Sequence, residues 1–451
     1  MSRAAISEES TGEHWLPLFL RPPTPATPID DPQEIRRVYA EYRPRILFWS
    51  TVGYGTFYFV RKNLSVAMPI MQQQLGLSKS GLGLILTLHG VIYGVSKFAG
   101  GIAADRANAR VFMSLALLAS AVVNICFGLS SSLLLLGGFW MINGVFQGCG
   151  YPPCARLLTH WFSPKELATK MSFWNASHSL GGGAIVVLCG YLVKHYGTWR
   201  VCFFVPSVIA MGMAGLLFMY LRDTPASVGL PEIEGSHVPG GDTGMESAAQ
   251  FREFLRRQVF RNKYIWLVSA ANFFVYTIRF AVFDWGPTVL KEAKGVNLVG
   301  ASWMVAGFEV AGLAGMITTG YLTDRVFKGR GAPLSLLSML LCGVSIFLFW
   351  RVPGRIVWLN TSLLMCAGFF VYGPQALVGV MAANLATKRA AATAVGLTSI
   401  FGYASTVASG WGMGVLVEHY GWGPAFSCLI GVAAAGAVLF AAALPAKANG
   451  Y

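Results

Sequence analysis

From residue 45 to residue 443 the chain is a succession of long apolar runs joined by short polar segments. A helix needs about 20 apolar residues to cross a bilayer, and helices suit that environment because they pair every backbone polar group internally. The runs lie near 45–70, 81–104, 111–130, 132–157, 172–194 and 199–221. Six more lie near 263–290, 299–323, 332–350, 357–384, 390–417 and 421–443. An all-α membrane protein of twelve spans is expected. Only 12% of residues are charged, about half the share in soluble domains. That excludes a soluble globular chain, and 55% hydrophobic residues exclude a disordered one. Of 8 cysteines, Cys126, Cys189, Cys202, Cys342, Cys366 and Cys428 sit in apolar runs, and no CxxC pair occurs. Neither a disulfide framework nor a metal site is indicated, and no cofactor is expected.

Residues 1–44 are polar and proline-rich (RPPTPATPIDDPQEIRR), without a signal-peptide pattern, and read as a cytoplasmic tail. Residues 45–221 and 263–443 read as two six-helix bundles, 222–262 as a cytoplasmic linker, and 444–451 as a cytoplasmic tail. The linker's second part (QFREFLRRQVFRNK) has helical spacing and reads as a short surface helix. With twelve spans and a cytoplasmic N-terminus, 23 Lys and Arg fall on the cytoplasmic side and 7 on the other. This bias is the positive-inside pattern. The net charge of +14 is thereby a topology signal, and nucleic acid is not needed to explain it.

The two halves echo each other. GIAADR (101–106) ends the second run and GYLTDR (320–325) the eighth. Tyr58-x-x-Arg61 and Tyr276-x-x-Arg279 are 218 residues apart, and HYG recurs at 195–197 and 419–421. Repeats at nearly one offset indicate two related bundles enclosing a central site, with access alternating between the two sides.

Charges inside the spans mark that site, because each costs about 2.5–3.5 kcal/mol at mid-membrane on insertion scales. Arg61 and Arg279 come from matching places in the two halves. If both face one cavity they repel, and a dianion relieves the repulsion. Arginine suits phosphate because its planar fork donates in pairs. The alternative is that each pairs with a neighbouring acid or backbone carbonyl. Lys97 is either a third donor or a structural ion pair. Lys62 points about 100° away from Arg61 on a helix, so it is read with Asp284 and Glu309 as charge-pair or gating residues. His178, in WNASHSLGGG, titrates near the second pKa of a phosphate ester; His89 has a weaker case. Tyr54, Tyr58, Tyr151, Tyr276, Tyr372 and Tyr403 can offer hydroxyls. Asp105, Arg106 and Arg110, with Asp324 and Arg325, read as structural latches between helix ends.

At these residues the chain resembles the organophosphate:phosphate antiporters of the major facilitator superfamily, over roughly residues 43–443. The motifs include YFVRKN (58–63), YGVSKFAGGIAADRANAR (93–110), QGCGYPPCARLLTHW (147–161), WNASHSLGGG (174–183), RDTPASVGLP (222–231), YTIRFAVFDWGPTVLKE (276–292), GYLTDRVFKGRGAP (320–333) and YGPQALVG (372–379). The resemblance implies that Arg61 and Arg279 bind phosphate, that His178 is close to substrate, and that Lys97, Asp284 and Glu309 line the pathway. DWG at 284–286 and YGPQALVG look like the hexose-6-phosphate branch, while Tyr151 stands where several relatives have Trp. The resemblance implies exchange of a hexose phosphate, above all glucose-6-phosphate, for inorganic phosphate; a bacterial inner membrane is the expected location, with an endomembrane next. A membrane sensor of glucose-6-phosphate signalling to a histidine kinase, and a glycerol-3-phosphate:phosphate antiporter, are the alternatives. A proton-coupled sugar or drug carrier shares the fold. No nucleophile–base motif suggests an enzyme.

Overall fold

The computed structural model describes residues 17–104, 106–233, 253–386 and 390–446. Asp105, Lys388 and Arg389, the first 16 residues, most of the linker (234–252) and the end of the chain (447–451) lie outside the described residues. All regular structure among the described residues is helical. In the first half the helices are α1 (Pro32–Phe57), α2 (Asn63–Leu75), α3 (Lys79–Ala104), α4 (Ala109–Leu129), α5 (Leu133–Gly148), α6 (Tyr151–Trp161), α7 (Pro164–Tyr196) and α8 (Val201–Tyr220). The second half holds α9 (Lys263–Glu292), α10 (Leu298–Arg325), α11 (Gly331–Arg351), α12 (Val357–Leu385), α13 (Ala391–Ala404), α14 (Met413–Tyr420) and α15 (Trp422–Ala442). A π-helical segment, Val407–Gly412, joins α13 to α14.

Local sequence explains the ends. Asp31 caps α1 by accepting from Gln33 N at 3.0 Å, with Pro32 at the first position. Ser163 and Glu166 form a capping box on α7. Gly197 closes α7 at φ +69°, a conformation that favours glycine. Asn108, Asn262 and Asn297 cap α4, α9 and α10 through their side chains.

Eleven helical segments among the described residues are long and apolar enough to cross a membrane. The run expected at 45–70 is not one continuous helix. It breaks at Tyr58–Lys62, where Arg61 takes φ −131°. The carbonyls freed there are bonded by buried carboxamides. Asn124 and Asn143 each donate to Val60 O at 2.9 Å, and Gln147 donates to Phe57 O at 3.1 Å. Asn63 links this group to Asn124 at 3.0 Å and to Cys202 O at 2.9 Å. A helix can break at membrane depth only where the protein re-satisfies its backbone in this way. The runs near 132–157 and 390–417 are likewise interrupted, at Cys149–Gly150 and by the π-helical segment.

Within the first half, α3 packs on α5, α4 on α5 and α8, and α1 on α7 and α8; within the second, α10 and α11 pack on α12, and α9 on α13 and α15. Between halves, α7 meets α10, α2 meets α9, and α3 meets the π-helical segment and α14. Gly83 makes that last approach possible: a Cβ there would stand 2.5 Å from Gly410 O. Leu134, Phe98 and Trp358 are more than 70% exposed, as side chains facing hydrocarbon are.

The proline-rich segment ahead of α1 runs over one end of the first half. Asn108 N donates to Leu20 O at 2.8 Å, Ala26 N to Ala226 O at 3.0 Å and Ile29 N to Gly229 O at 2.8 Å. Beside it Asp223, buried, accepts from Ala109 N at 2.8 Å and pairs with Arg156 at 3.4 Å. In the linker, Glu253 pairs with Arg257 at 3.0 Å on an exposed helical turn, in keeping with the expected surface helix.

Candidate functional site

A cavity of about 700 Å³ lies between the halves, within the roughly 300–1,000 Å³ range of small-molecule sites. Arg61, Lys97, His178 and Arg279 all line it, as do Tyr54, Tyr58, Tyr151, Tyr276, Tyr372 and Tyr403. Lys62, Asp284, Glu309 and His89 line it too. The structure thus brings together every candidate substrate and gating residue.

The helix break sets the Arg61 side chain at the cavity wall, its Cζ 3.9 Å from the Tyr58 ring centroid and 5.0 Å from that of Tyr93. Its Nε is buried and has no hydrogen-bond partner among the described residues. Arg279 projects from unbroken α9, its Cζ 4.5 Å from the Tyr372 ring centroid. Among the described residues neither guanidinium has a carboxylate within ion-pair distance. Aromatic faces attract such cations but leave their N–H groups free to donate.

The other charges differ. Lys62 Nζ meets Asp284 Oδ1 at 2.6 Å, a pair joining the start of α2 to α9. Glu309 Oε1 accepts the Tyr372 hydroxyl, while its Oε2 is buried and has no partner among the described residues. Lys97 Nζ stands 4.2 Å from the Tyr151 ring centroid and 3.4 Å from the Tyr403 hydroxyl. His178 Nδ1 lies 2.8 Å from the Asn175 carbonyl. A carbonyl only accepts, so Nδ1 carries the proton and Nε2 is the nitrogen left to act. His89 Nδ1 bonds Trp140 O at 3.0 Å.

Four basic and two acidic side chains line the cavity, leaving two positive charges unmatched when both carboxylates are ionised. In a low-dielectric enclosure such an excess concentrates anions. One end of the cavity is closed by contacts between halves. Lys79 pairs with Glu292 at 3.2 Å, Ser80 N donates to Glu418 at 2.7 Å and Lys291 to Gln73 at 3.2 Å. Thr87 Oγ1 donates to Thr406 O and accepts from Trp411 N, both at 2.8 Å.

The latch residues lie elsewhere. Asp324 and Arg325 are exposed at the end of α10, with Arg325 5.7 Å from the Tyr321 ring. Arg106 is exposed, and Arg110 stacks 4.6 Å from the Phe218 ring. Arg330, in the loop after α10, does reach a helix end, donating to Leu444 O at 2.7 Å. The sequence reading missed Tyr93, Asn175, Ser179, Gln375 and Ser399 in the cavity wall. Helical spacing marks them: Tyr93 precedes Lys97 by four residues, Asn175 precedes His178 by three, and Gln375 follows Tyr372 by three.

Residues 51–410 match the Major Facilitator Superfamily. The chain is 38% identical over 435 residues to a probable hexose phosphate transport protein of Chlamydia pneumoniae, covering 94% of this chain and 95% of that one. It is 39% identical to the glycerol-3-phosphate transporter of Bacillus subtilis, covering 89% and 92%. It is 37% identical to the membrane sensor protein UhpC of Salmonella typhimurium, covering 95% and 98%. Among solved structures, an inward-facing, occupied bacterial homologue of the lysosomal transporter Spinster superposes with a TM-score of 0.71 at 16% identity, covering 90% and 97%. A multi-pass helical membrane protein with a central cationic cavity is thus defined by fold and site. The chain belongs to the major facilitator superfamily and, within it, to the organophosphate:phosphate antiporter family.

Proposed function

We propose that the protein exchanges a hexose phosphate, above all glucose-6-phosphate, for inorganic phosphate across a bacterial inner membrane. Twelve spans form two six-helix bundles, 45–221 and 263–443, when α1 with α2, α5 with α6, and α13 with α14 each count as one. Both termini and the linker 222–262 are cytoplasmic. One observation carries the reading: two guanidiniums from opposite halves line one cavity and, among the described residues, neither has a carboxylate in ion-pair distance. A phosphate dianion bridges Arg61 and Arg279 and matches the two excess charges. Lys97 and His178 Nε2 add donors, and the tyrosine hydroxyls complete the shell. Lys62–Asp284 and the Lys79–Glu292 end form the gate that must part for release to the other side, as alternating access requires.

The names of the relatives support this and two other readings. A sensor that binds glucose-6-phosphate and signals to a histidine kinase fits the likeness to UhpC; a glycerol-3-phosphate antiporter fits the likeness to the Bacillus protein. Counterflow in proteoliposomes separates them. Vesicles loaded with inorganic phosphate are expected to take up labelled glucose-6-phosphate, and empty vesicles are not. Saturable binding without uptake identifies the sensor. Competition by glycerol-3-phosphate stronger than by glucose-6-phosphate identifies the glycerol branch. Neither binding nor uptake overturns the site.

A further inference from the structure

Gln375 and Asn175 line the cavity but are not needed to hold a phosphate group. Gln375 lies three residues after Tyr372 on α12, and so on the face that carries the Tyr372 hydroxyl. Its Oε1 is buried and, among the described residues, has no hydrogen-bond partner. A buried acceptor left this way costs about 1–3 kcal/mol unless water or a ligand serves it. Asn175 lies three residues before His178 on α7; its backbone carbonyl holds His178, and its carboxamide makes no hydrogen bond among the described residues.

Both positions are displaced in the same direction. The start of α12 lies at the closed end of the cavity, because Lys294, two residues after α9, donates to Val352 O at 2.6 Å just before that helix. The end of α7 lies there too, because Gln74 donates to Gly197 O at 2.8 Å. Gln375 and Asn175 therefore sit about one helical turn, roughly 5 Å, further from the gate than Tyr372 and His178. They come from opposite halves. Ser399, four residues before Tyr403 on α13, lines the cavity as well.

We propose that Asn175 and Gln375 form a hydroxyl-recognition subsite, one turn further from the gate than His178 and Tyr372, that reads the polyhydroxylated remainder of a phosphate monoester. The proposal rests on the phosphate-ester reading of the cavity. A carboxamide has two donors and an acceptor with two lone pairs, which complements a sugar hydroxyl, and carries no charge to compete with Arg61 and Arg279 for phosphate. A hexose ring attached to the bound phosphate spans one helical turn and meets both amides. Inorganic phosphate does not reach them, and a three-carbon ester reaches them in part. The subsite therefore sets selectivity among esters while leaving phosphate binding alone.

The test uses Gln375→Leu, Asn175→Leu and the conservative Gln375→Asn in proteoliposomes. Phosphate self-exchange and half-saturation for glucose-6-phosphate and 2-deoxyglucose-6-phosphate are measured for each. Self-exchange within about twofold of the unmutated protein is expected, which also shows that the variants fold. Half-saturation for glucose-6-phosphate is expected to rise about tenfold in each Leu variant, the scale of one lost hydrogen bond. Preference for the sugar over its deoxy analogue is expected to shrink, with partial recovery in Gln375→Asn. Equal loss of self-exchange and sugar-phosphate uptake, or an unchanged ratio between them, overturns the subsite. If the unmutated protein neither self-exchanges phosphate nor takes up an ester, the underlying phosphate-ester reading has failed instead, and that shows before any variant is compared.

Discussion

Asp284→Asn tests whether the Lys62–Asp284 pair holds the gate closed. The two atoms are 2.6 Å apart, and each side chain is 14% exposed. At an effective dielectric of about 20 the attraction at that distance is roughly 6 kcal/mol. Desolvation of both ions offsets much of it, so the pair is worth far less than that attraction, and removing both charges together costs little. Removing one partner is different. It strands Lys62 as a buried charge and costs about 3–5 kcal/mol. The pair joins α2 to α9 across the halves, so a state in which the halves part at this end does not contain it. The closed form should lose on the order of a hundredfold to several thousandfold relative to the open one. The assay is labelling of Thr87→Cys, buried at the closed end against Thr406, by a membrane-impermeant thiol reagent. The exposed thiols Cys366 and Cys428 are replaced by alanine first. Asp284→Asn should label much faster, and Lys62→Met with Asp284→Asn should return most of the way. Unchanged labelling in Asp284→Asn, or a double variant as open as the single, would refute the gate assignment.

Arg61→Lys and Arg279→Lys should each lower phosphate exchange roughly 10- to 100-fold, because a point charge loses the paired donation of the guanidinium; wild-type exchange in both would exclude them as the phosphate pair. Asn124→Leu and Asn143→Leu should each destabilise the protein by about 1–3 kcal/mol, because each strips a bond from the Val60 carbonyl at the helix break. Thermal unfolding in detergent measures that, and an unshifted midpoint would show that the break does not need them. Glu166 gives a pH signature. Burial pushes its carboxyl up, but bonds from Ser163 and the Arg43 guanidinium outweigh that and hold it below its usual 4.5. Stability from this group is therefore present above about pH 4.5 and is lost as pH falls through the lowered folded value. Glu166→Gln should flatten acid destabilisation in that window, and an unchanged acid limb would remove Glu166 as its source.

Much of the fold was legible because the bilayer allows few solutions. Long apolar runs follow from hydrocarbon thickness; on the proposed topology the basic bias and the repeated DR and Tyr-x-x-Arg segments follow from insertion and duplication. The cavity wall was legible for the same reason: a charge or histidine inside a span has nowhere else to go. What escaped was asymmetry. Arg61 and Arg279 match in sequence, yet one sits at a break and the other on a continuous helix. The cause lies in Asn124, Asn143 and Gln147, on helices distant in sequence, whose amides replace the missing backbone bonds. Their polarity within apolar runs was visible, but their target was not. Pairing was hidden in the same way. Lys62 with Asp284, and Asp223 with Arg156, depend on which helix ends meet, which composition and period do not encode.

On the proposed reading, exchange rather than leak follows from charge. The empty cavity holds two more positive than negative side-chain charges. To change sides empty, the protein must pass through a closed state in which water no longer screens Arg61 from Arg279. A phosphate or phosphate ester, carrying about −1.5 to −2 charges near pH 7, cancels the excess and lets the halves close. The loaded carrier then crosses a lower barrier than the empty one. Ser399→Asp tests this, because it adds one carboxylate to the cavity wall and halves the excess without touching either arginine. Exchange should fall, since the dianion now meets weaker attraction. Efflux of preloaded phosphate into phosphate-free medium should rise, since the empty form now closes more readily. Proteoliposome efflux measured with and without external phosphate gives both rates. If their ratio matches that of the unmutated protein, the unmatched charge is not what couples the two directions, and the closure of the empty carrier must be opposed by packing instead.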